Sequence, residues 1–173
     1  GGWTSSSGRG WANLSNAPFR MYKRYTHEGG VATPLIVHWP AGLKSQGELR
    51  HTPSHIIDIA PTCLSAAGLS VKGMEGKSLL PVFVRDSKEE RTLYWEHEGN
   101  RAVRKGNYKL VAMHDAPWEL YDMNKDRSEL NDLSKKMGGK AKSLRLLYEA
   151  WAKRVGALPW NEVMVTKKKK IKK

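Results

Sequence analysis

Thr92-Leu93-Tyr94-Trp95-Glu96-His97-Glu98-Gly99-Asn100-Arg101-Ala102-Val103-Arg104-Lys105-Gly106-Asn107-Tyr108-Lys109-Leu110-Val111-Ala112-Met113 contains three short runs that favour extended backbone. Gly99-Asn100 and Gly106-Asn107 separate them, and such pairs suit the tight turns between antiparallel strands. The pattern predicts strands over Thr92–Glu96, Arg101–Arg104 and Tyr108–Met113, with Trp118–Tyr121 as a fourth strand of one meander. Further on, Lys140–Val155 sets Leu144, Leu147, Tyr148, Trp151 and Val155 on one helical face, the stripe of a helix packed on a sheet. A short helix is expected over Ser128–Lys136.

Upstream the texture differs. Pro34-Leu35-Ile36-Val37-His38-Trp39-Pro40 is an apolar run bounded by prolines and reads as a buried strand. Asp58 stands at the N-cap position of a helix whose first turn tolerates Pro61. Ala60, Cys63, Leu64 and Ala67 follow at helical spacing and Gly68 ends it. Cys63, on that apolar face, is expected in a core. Residues 1–30 show no steady period and read as a long ordered loop. Charged residues 85–91 look like a linker. The organisation expected is therefore an α/β part over 1–85, a small α+β unit over 86–160, and a disordered basic tail over 161–173.

The 173 residues carry a hydrophobic share of 39% and a charged share of 27%, which excludes a wholly disordered chain. A lone cysteine excludes an internal disulfide framework and a Cys-rich zinc site. No stretch reaches the roughly 18 to 20 apolar residues of a membrane span. Of the net charge of +13, Lys167 to Lys173 supply 6, so much of the basic character is one terminal run. That run is a candidate contact for an anionic polymer, sulfated polysaccharide or nucleic acid.

The most informative stretch for chemistry is Pro18-Phe19-Arg20-Met21-Tyr22-Lys23-Arg24-Tyr25-Thr26-His27-Glu28-Gly29-Gly30-Val31-Ala32-Thr33-Pro34. A lysine in a loop closed by paired glycines can present a point charge to an anion, although such a lysine read by itself is a solvated surface residue. The segment resembles the C-terminal half of the sulfatases, the arylsulfatase-like branch of the alkaline-phosphatase superfamily. Further matches follow in order: Ile57-Asp58-Ile59-Ala60-Pro61-Thr62, Glu75-Gly76-Lys77-Ser78-Leu79-Leu80, Trp95 to Arg104, Gly106 to Leu110, Trp118-Glu119-Leu120-Tyr121-Asp122, and Glu129-Leu130-Asn131-Asp132-Leu133.

The resemblance implies an α/β fold, the C-terminal part of an alkaline-phosphatase-like sulfatase, ending in an antiparallel sheet packed by a C-terminal helix. It implies hydrolysis of a sulfate-ester substrate by a formylglycine nucleophile and a calcium ion, with Lys23 touching the sulfate. His27, in the same loop, would line the pocket. His97, Asn100 and Arg101 fall in a hairpin that could overhang its mouth, with Arg101 pairing with an anionic substrate; the alternative is a polar cluster at the strand edge. The nucleophile motif Cys/Ser-x-Pro-x-Arg does not occur in these residues. The expectation is thus a portion that lacks the nucleophile and every metal ligand and is inactive alone. Family members are typically exported or lysosomal.

A competing reading is a non-catalytic basic module that binds anionic polymers. Lys135, Lys136, Lys140, Lys142, Arg145, Lys153 and Arg154 face one acid, Glu149, in the last helical region. Against it, Trp95, Tyr108, Trp118 and Trp151 fall in core-like patterns and are not interleaved with basic residues as stacking platforms are.

Overall fold

The computed structural model describes residues 8–44 and 47–171. They form two compact units, one of residues 34–89 and one in which residues 8–33 join residues 90–171. The first residues therefore group with the C-terminal sheet rather than with residues 34–85. No described helix is long and apolar enough to cross a membrane.

The larger unit is built on the predicted meander: β1 (Thr92–His97), β2 (Asn100–Lys105), β3 (Tyr108–Ala112) and β4 (Glu119–Asp122), antiparallel in that order. Glu98 and Gly99, both at positive φ, make the first turn, one residue earlier than the Gly-Asn pair suggests. Strand alternation gives the sheet two faces. Val103, Leu110 and Leu120 point to one face and meet Leu144 and Tyr148 of the helix over Gly138–Val155. Tyr94 stacks on Trp151 with ring centres 5.0 Å apart, and Trp118 meets Tyr148 edge-on at 5.4 Å. Ala102, Val111, Tyr121 and Met123 point to the other face beside Trp95.

The remaining helices of this unit are α1 (Gly8–Ser15), α2 (Glu28–Val31) and α6 (Trp160–Ile171), so the packing helix over Gly138–Val155 is α5. Three expectations fail here. Residues 8–15 are helical, not loop. Ser128–Lys136 forms turns, because Asp126 accepts hydrogen bonds from the amides of Leu130 and Asn131, and Asp132 from those of Leu120 and Ser134. Side chains that capture the backbone this way compete with helix formation. Residues from 161 continue α6 rather than forming a disordered tail: the Glu162 and Val163 amides bond the Pro159 carbonyl, and Glu162 lies in the first turn. Lys172 and Lys173 lie outside the described residues.

The smaller unit holds α3 (Ile59–Ala66) and α4 (Leu80–Val84). Asp58 stands at the N-cap position of α3 as expected, but its side chain makes no cap hydrogen bond there. Its carboxylate accepts from the His55 and Lys77 amides at 2.8 and 2.9 Å, across a 3-10 turn at Ile56–Asp58. Gly76 is required here, since a Cβ would lie 2.0 Å from the Ile57 carbonyl oxygen. Gly68 ends the helix at positive φ, as predicted. Arg50 closes α4 by donating to the carbonyls of Val82, Phe83 and Val84, groups a helix end leaves unpaired.

Pro34–Pro40 is not a strand, and its apolar side chains are open, Ile36 at 90% exposure. A strand exists through its ladder, and the described residues of this unit contain no second strand to pair with it. Cys63 is exposed as well, because this unit buries Pro61, Thr62 and Leu79 but leaves the Ile59–Cys63 side of α3 uncovered.

Leu110 is fully buried where the sheet meets α5. Leu110→Ala is expected to lower unfolding stability by about 2–5 kcal/mol, read from urea denaturation of the chain. A loss below about 1 kcal/mol would mean that this face is not the core.

Candidate functional site

The lysine loop lies on the sheet face opposite α5. It is closed by the Gly29 amide donating to the Arg20 carbonyl at 2.9 Å. The paired glycines act by close approach, not by positive φ. A Cβ on Gly29 would stand 2.1 Å from the Met21 carbonyl oxygen, and one on Gly30 would stand 2.0 Å from that of Tyr25. The loop therefore folds directly over the start of α2. Met21 and Arg24 take positive φ on either side of Lys23, a conformation that persists only where the surroundings enforce it.

Two ionic clusters do the enforcing. In the first, Lys109 projects from β3, fully buried, with Nζ 3.0 Å from Glu28 Oε1 and 2.9 Å from Glu129 Oε1. The first contact is a hydrogen bond, while the second is an ion pair off the hydrogen-bonding direction. The other Glu129 oxygen accepts from the Glu28 amide at 2.8 Å. Arg127 donates to Glu28 Oε2 at 3.1 Å and lies over the Phe19 ring, 4.8 Å from its centre. Burial alone would raise the Glu28 carboxyl, but Lys109 and Arg127 outweigh it and hold it below the usual carboxylate range.

The second cluster centres on Glu119 of β4. Its Oε2 receives Arg20 Nη1 at 3.0 Å and the Tyr121 hydroxyl at 2.9 Å, with His27 Nε2 3.1 Å away. Arg20 also donates to the Tyr121 oxygen and the Glu129 carbonyl. The bond to His27, with those to Tyr121 and Arg20, holds the Glu119 carboxyl down at about 2. Burial and the adjacent carboxylate push Tyr121 well above its ordinary value.

The expected site residues divide accordingly. Lys23 is exposed on the loop and has no ion-pair or hydrogen-bond partner among the described residues. His27 is buried at 1% exposure and serves the loop's attachment, with Nδ1 unpartnered. Asn100 is buried and ties the hairpin to the loop, donating to the carbonyls of Arg24 and His97 and accepting from the His114 amide. Glu98 adds an ion pair to Arg24 at 2.6 Å. His97 is exposed at the end of β1.

Arg101, next to Asn100, points the other way. It lies over Trp118 on the α5 face, 4.7 Å from the ring centre, and is not brought to the Lys23 loop. Glu28, Lys109, Glu119, Tyr121 and Glu129 carry the site's geometry, yet sequence reasoning quoted them only as letters within motifs. The available signal was Lys109 and Glu119 standing at inward positions of otherwise apolar strands. Among the described residues no three His, Cys, Asp or Glu side chains converge, so they do not fit a calcium ion.

A four-stranded antiparallel meander packed by a C-terminal helix is the architecture this chain shares with the C-terminal part of sulfatases. The chain belongs to the family described as N-sulphoglucosamine sulphohydrolase, C-terminal, which matches residues 19–150. It is 33% identical over 142 residues to an uncharacterised sulfatase of Schizosaccharomyces pombe, covering 72% of this chain and 26% of that protein. It is 36% identical over 100 residues to N-acetylgalactosamine-6-sulfatase of Mus musculus, covering 55% of this chain and 19% of that protein. The crystal structure of Ps i-CgsB in complex with k-i-k-neocarrahexaose superposes with a TM-score of 0.71 at 26% identity, covering 81% of this chain and 34% of that one. The chain thus spans about a third or less of these relatives' lengths.

Lys109→Met leaves the buried Glu129 without its cation and Glu28 with Arg127 alone, and is expected to cost about 3–5 kcal/mol in denaturant unfolding. A neutral substitution would show the cluster to be incidental.

Glu119 binds its proton more weakly in the folded chain than in the unfolded one. Its contribution is therefore complete above its ordinary value near 4.5 and is lost as pH falls from there toward about 2. Protection of amides 20–30, taken relative to intrinsic exchange at each pH, should fall across that window in the wild type and be low already at neutral pH in Glu119→Gln. Protection that is unchanged across the window in the wild type and equal in Glu119→Gln would contradict the attachment.

Proposed function

We propose that this chain is the C-terminal portion of a sulfatase that hydrolyses sulfate esters of sugars, and that Lys23 places a positive charge against the sulfate oxygens. The observation that carries the reading is the contrast within one loop. Arg20, Arg24, His27 and Glu28 are each bonded into the surrounding unit, while Lys23 between them has no partner among the described residues. A cation held at a fixed place with no partner of its own suits an incoming anion, because pre-placed charge favours the transition state without reorganisation. Buried His27 is read here as a positioning residue for that loop.

The relatives' names support a sugar sulfate as the substrate class: one acts on N-acetylgalactosamine 6-sulfate by its name, and one is crystallised with a neocarrahexaose. The nucleophile and the calcium ligands implied by the resemblance would be supplied by residues outside this chain, and by itself the chain would not turn over sulfate esters. In the whole protein, Lys23→Ala is expected to lower kcat/KM for a chromogenic sulfate ester by about 100-fold or more, with Lys23→Arg retaining part of the rate. Equal turnover by wild type and Lys23→Ala removes the assignment.

A further inference from the structure

We propose that a groove on the α5 face of the sheet is a second binding site, for a sulfated oligosaccharide, separate from the Lys23 loop. Trp118, Ala141, Lys142, Arg145 and Leu146 line a depression of about 350 Å³, the lower end of the size range of ligand sites. Its walls are an indole, a methyl and an isobutyl group. Its polar groups are two cations.

Those cations are available. Lys142 and Arg145 are exposed on α5, and Lys142 has no partner among the described residues. Glu149 takes the Arg145 Nε at 2.7 Å, which leaves both terminal nitrogens of that guanidinium uncommitted. A third cation belongs to the same face: Arg101 lies over the Trp118 ring, and its Nε is buried with no hydrogen-bond acceptor. Native structures seldom leave such a donor unsatisfied, because its desolvation is then uncompensated. The charge that the sequence suggested for the catalytic mouth is thus spent on the opposite side of the sheet.

An apolar wall flanked by Lys142, without a partner among the described residues, and by the terminal nitrogens of Arg145, whose Nε alone is held by Glu149, matches the two-sided chemistry of a sulfated sugar ring. The C–H surface of the ring meets the indole and leucine, while the sulfate takes the fork of a guanidinium. A single-stranded nucleic acid is the weaker fit, since its binding sites stack successive bases on several aromatic rings and this groove offers one. The choice of a sulfated sugar rests on the sulfatase reading above. The groove would give such a protein a hold on the polymer away from the ester being cleaved.

The test uses the whole protein in a Lys23→Ala background, so that cleavage is slow on the timescale of a titration and the Lys23 charge does not contribute. A sulfated hexasaccharide and its desulfated counterpart are titrated calorimetrically into that protein. The same titration is made into Lys142→Glu/Arg145→Glu, and into Lys72→Glu/Lys125→Glu, which changes the charge equally at exposed positions elsewhere. The groove variant is expected to bind the sulfated hexasaccharide about tenfold more weakly or worse, the control within about twofold, and the desulfated sugar poorly throughout. An equal loss in both variants, or none in the groove variant, overturns the site. A thymidine oligonucleotide that binds as tightly and competes overturns the sugar assignment. Groove binding that persists while the wild type cleaves no sulfate ester supports the groove and removes the hydrolase reading instead.

Discussion

Lys109 sits fully buried on β3 between two carboxylates, and the placement of the Lys23 loop depends on that arrangement. A lone ammonium in such a site would lose its proton or unfold its surroundings, since burying an uncompensated charge is costly. Its compensation comes from Glu28, at the start of a single helical turn, and from Glu129, in a stretch held by turns. Ionic contacts thus hold both segments, and Glu119 repeats the device at β4 with Arg20 and His27.

The sheet consequently has two unlike faces. Toward α5 it is apolar and aromatic, with Val103, Leu110 and Leu120 closed over by Leu144 and Tyr148. Toward the loop a smaller apolar patch of Ala102, Val111, Tyr121 and Met123 is accompanied by the buried charges. Motifs that lie up to a hundred residues apart in sequence thus share one surface, and the residues they contribute bond one another directly. Lys23, exposed on the loop, has no ion-pair or hydrogen-bond partner among the described residues.

Much of the fold was legible because strand alternation and turn chemistry are local properties. β1 to β4 and α5 follow from a period of two, from glycine at the turns and from a helical stripe. What was not legible depends on partners. Pro34–Pro40 has the composition of a strand but no ladder within its unit, and Cys63 lies on an apolar helix face with nothing over it. Ser128–Lys136 has helical spacing, yet Asp126 and Asp132 take its amides. Lys109 and Glu119 read as single charges because alternation tells which face a residue occupies and not what covers that face. For Arg101 and Asn100 the alternation was sufficient: adjacent strand residues point to opposite faces and cannot serve one pocket.

The most direct test is a crystal structure of the whole protein with a sulfated sugar bound at the Lys23 loop. The account predicts Lys23 Nζ within about 3 Å of a sulfate oxygen, with the Glu28–Lys109–Glu129 cluster unchanged beneath it. A sulfate bound with that nitrogen turned away into solvent, or a loop detached from Glu28 and Glu119, would contradict it.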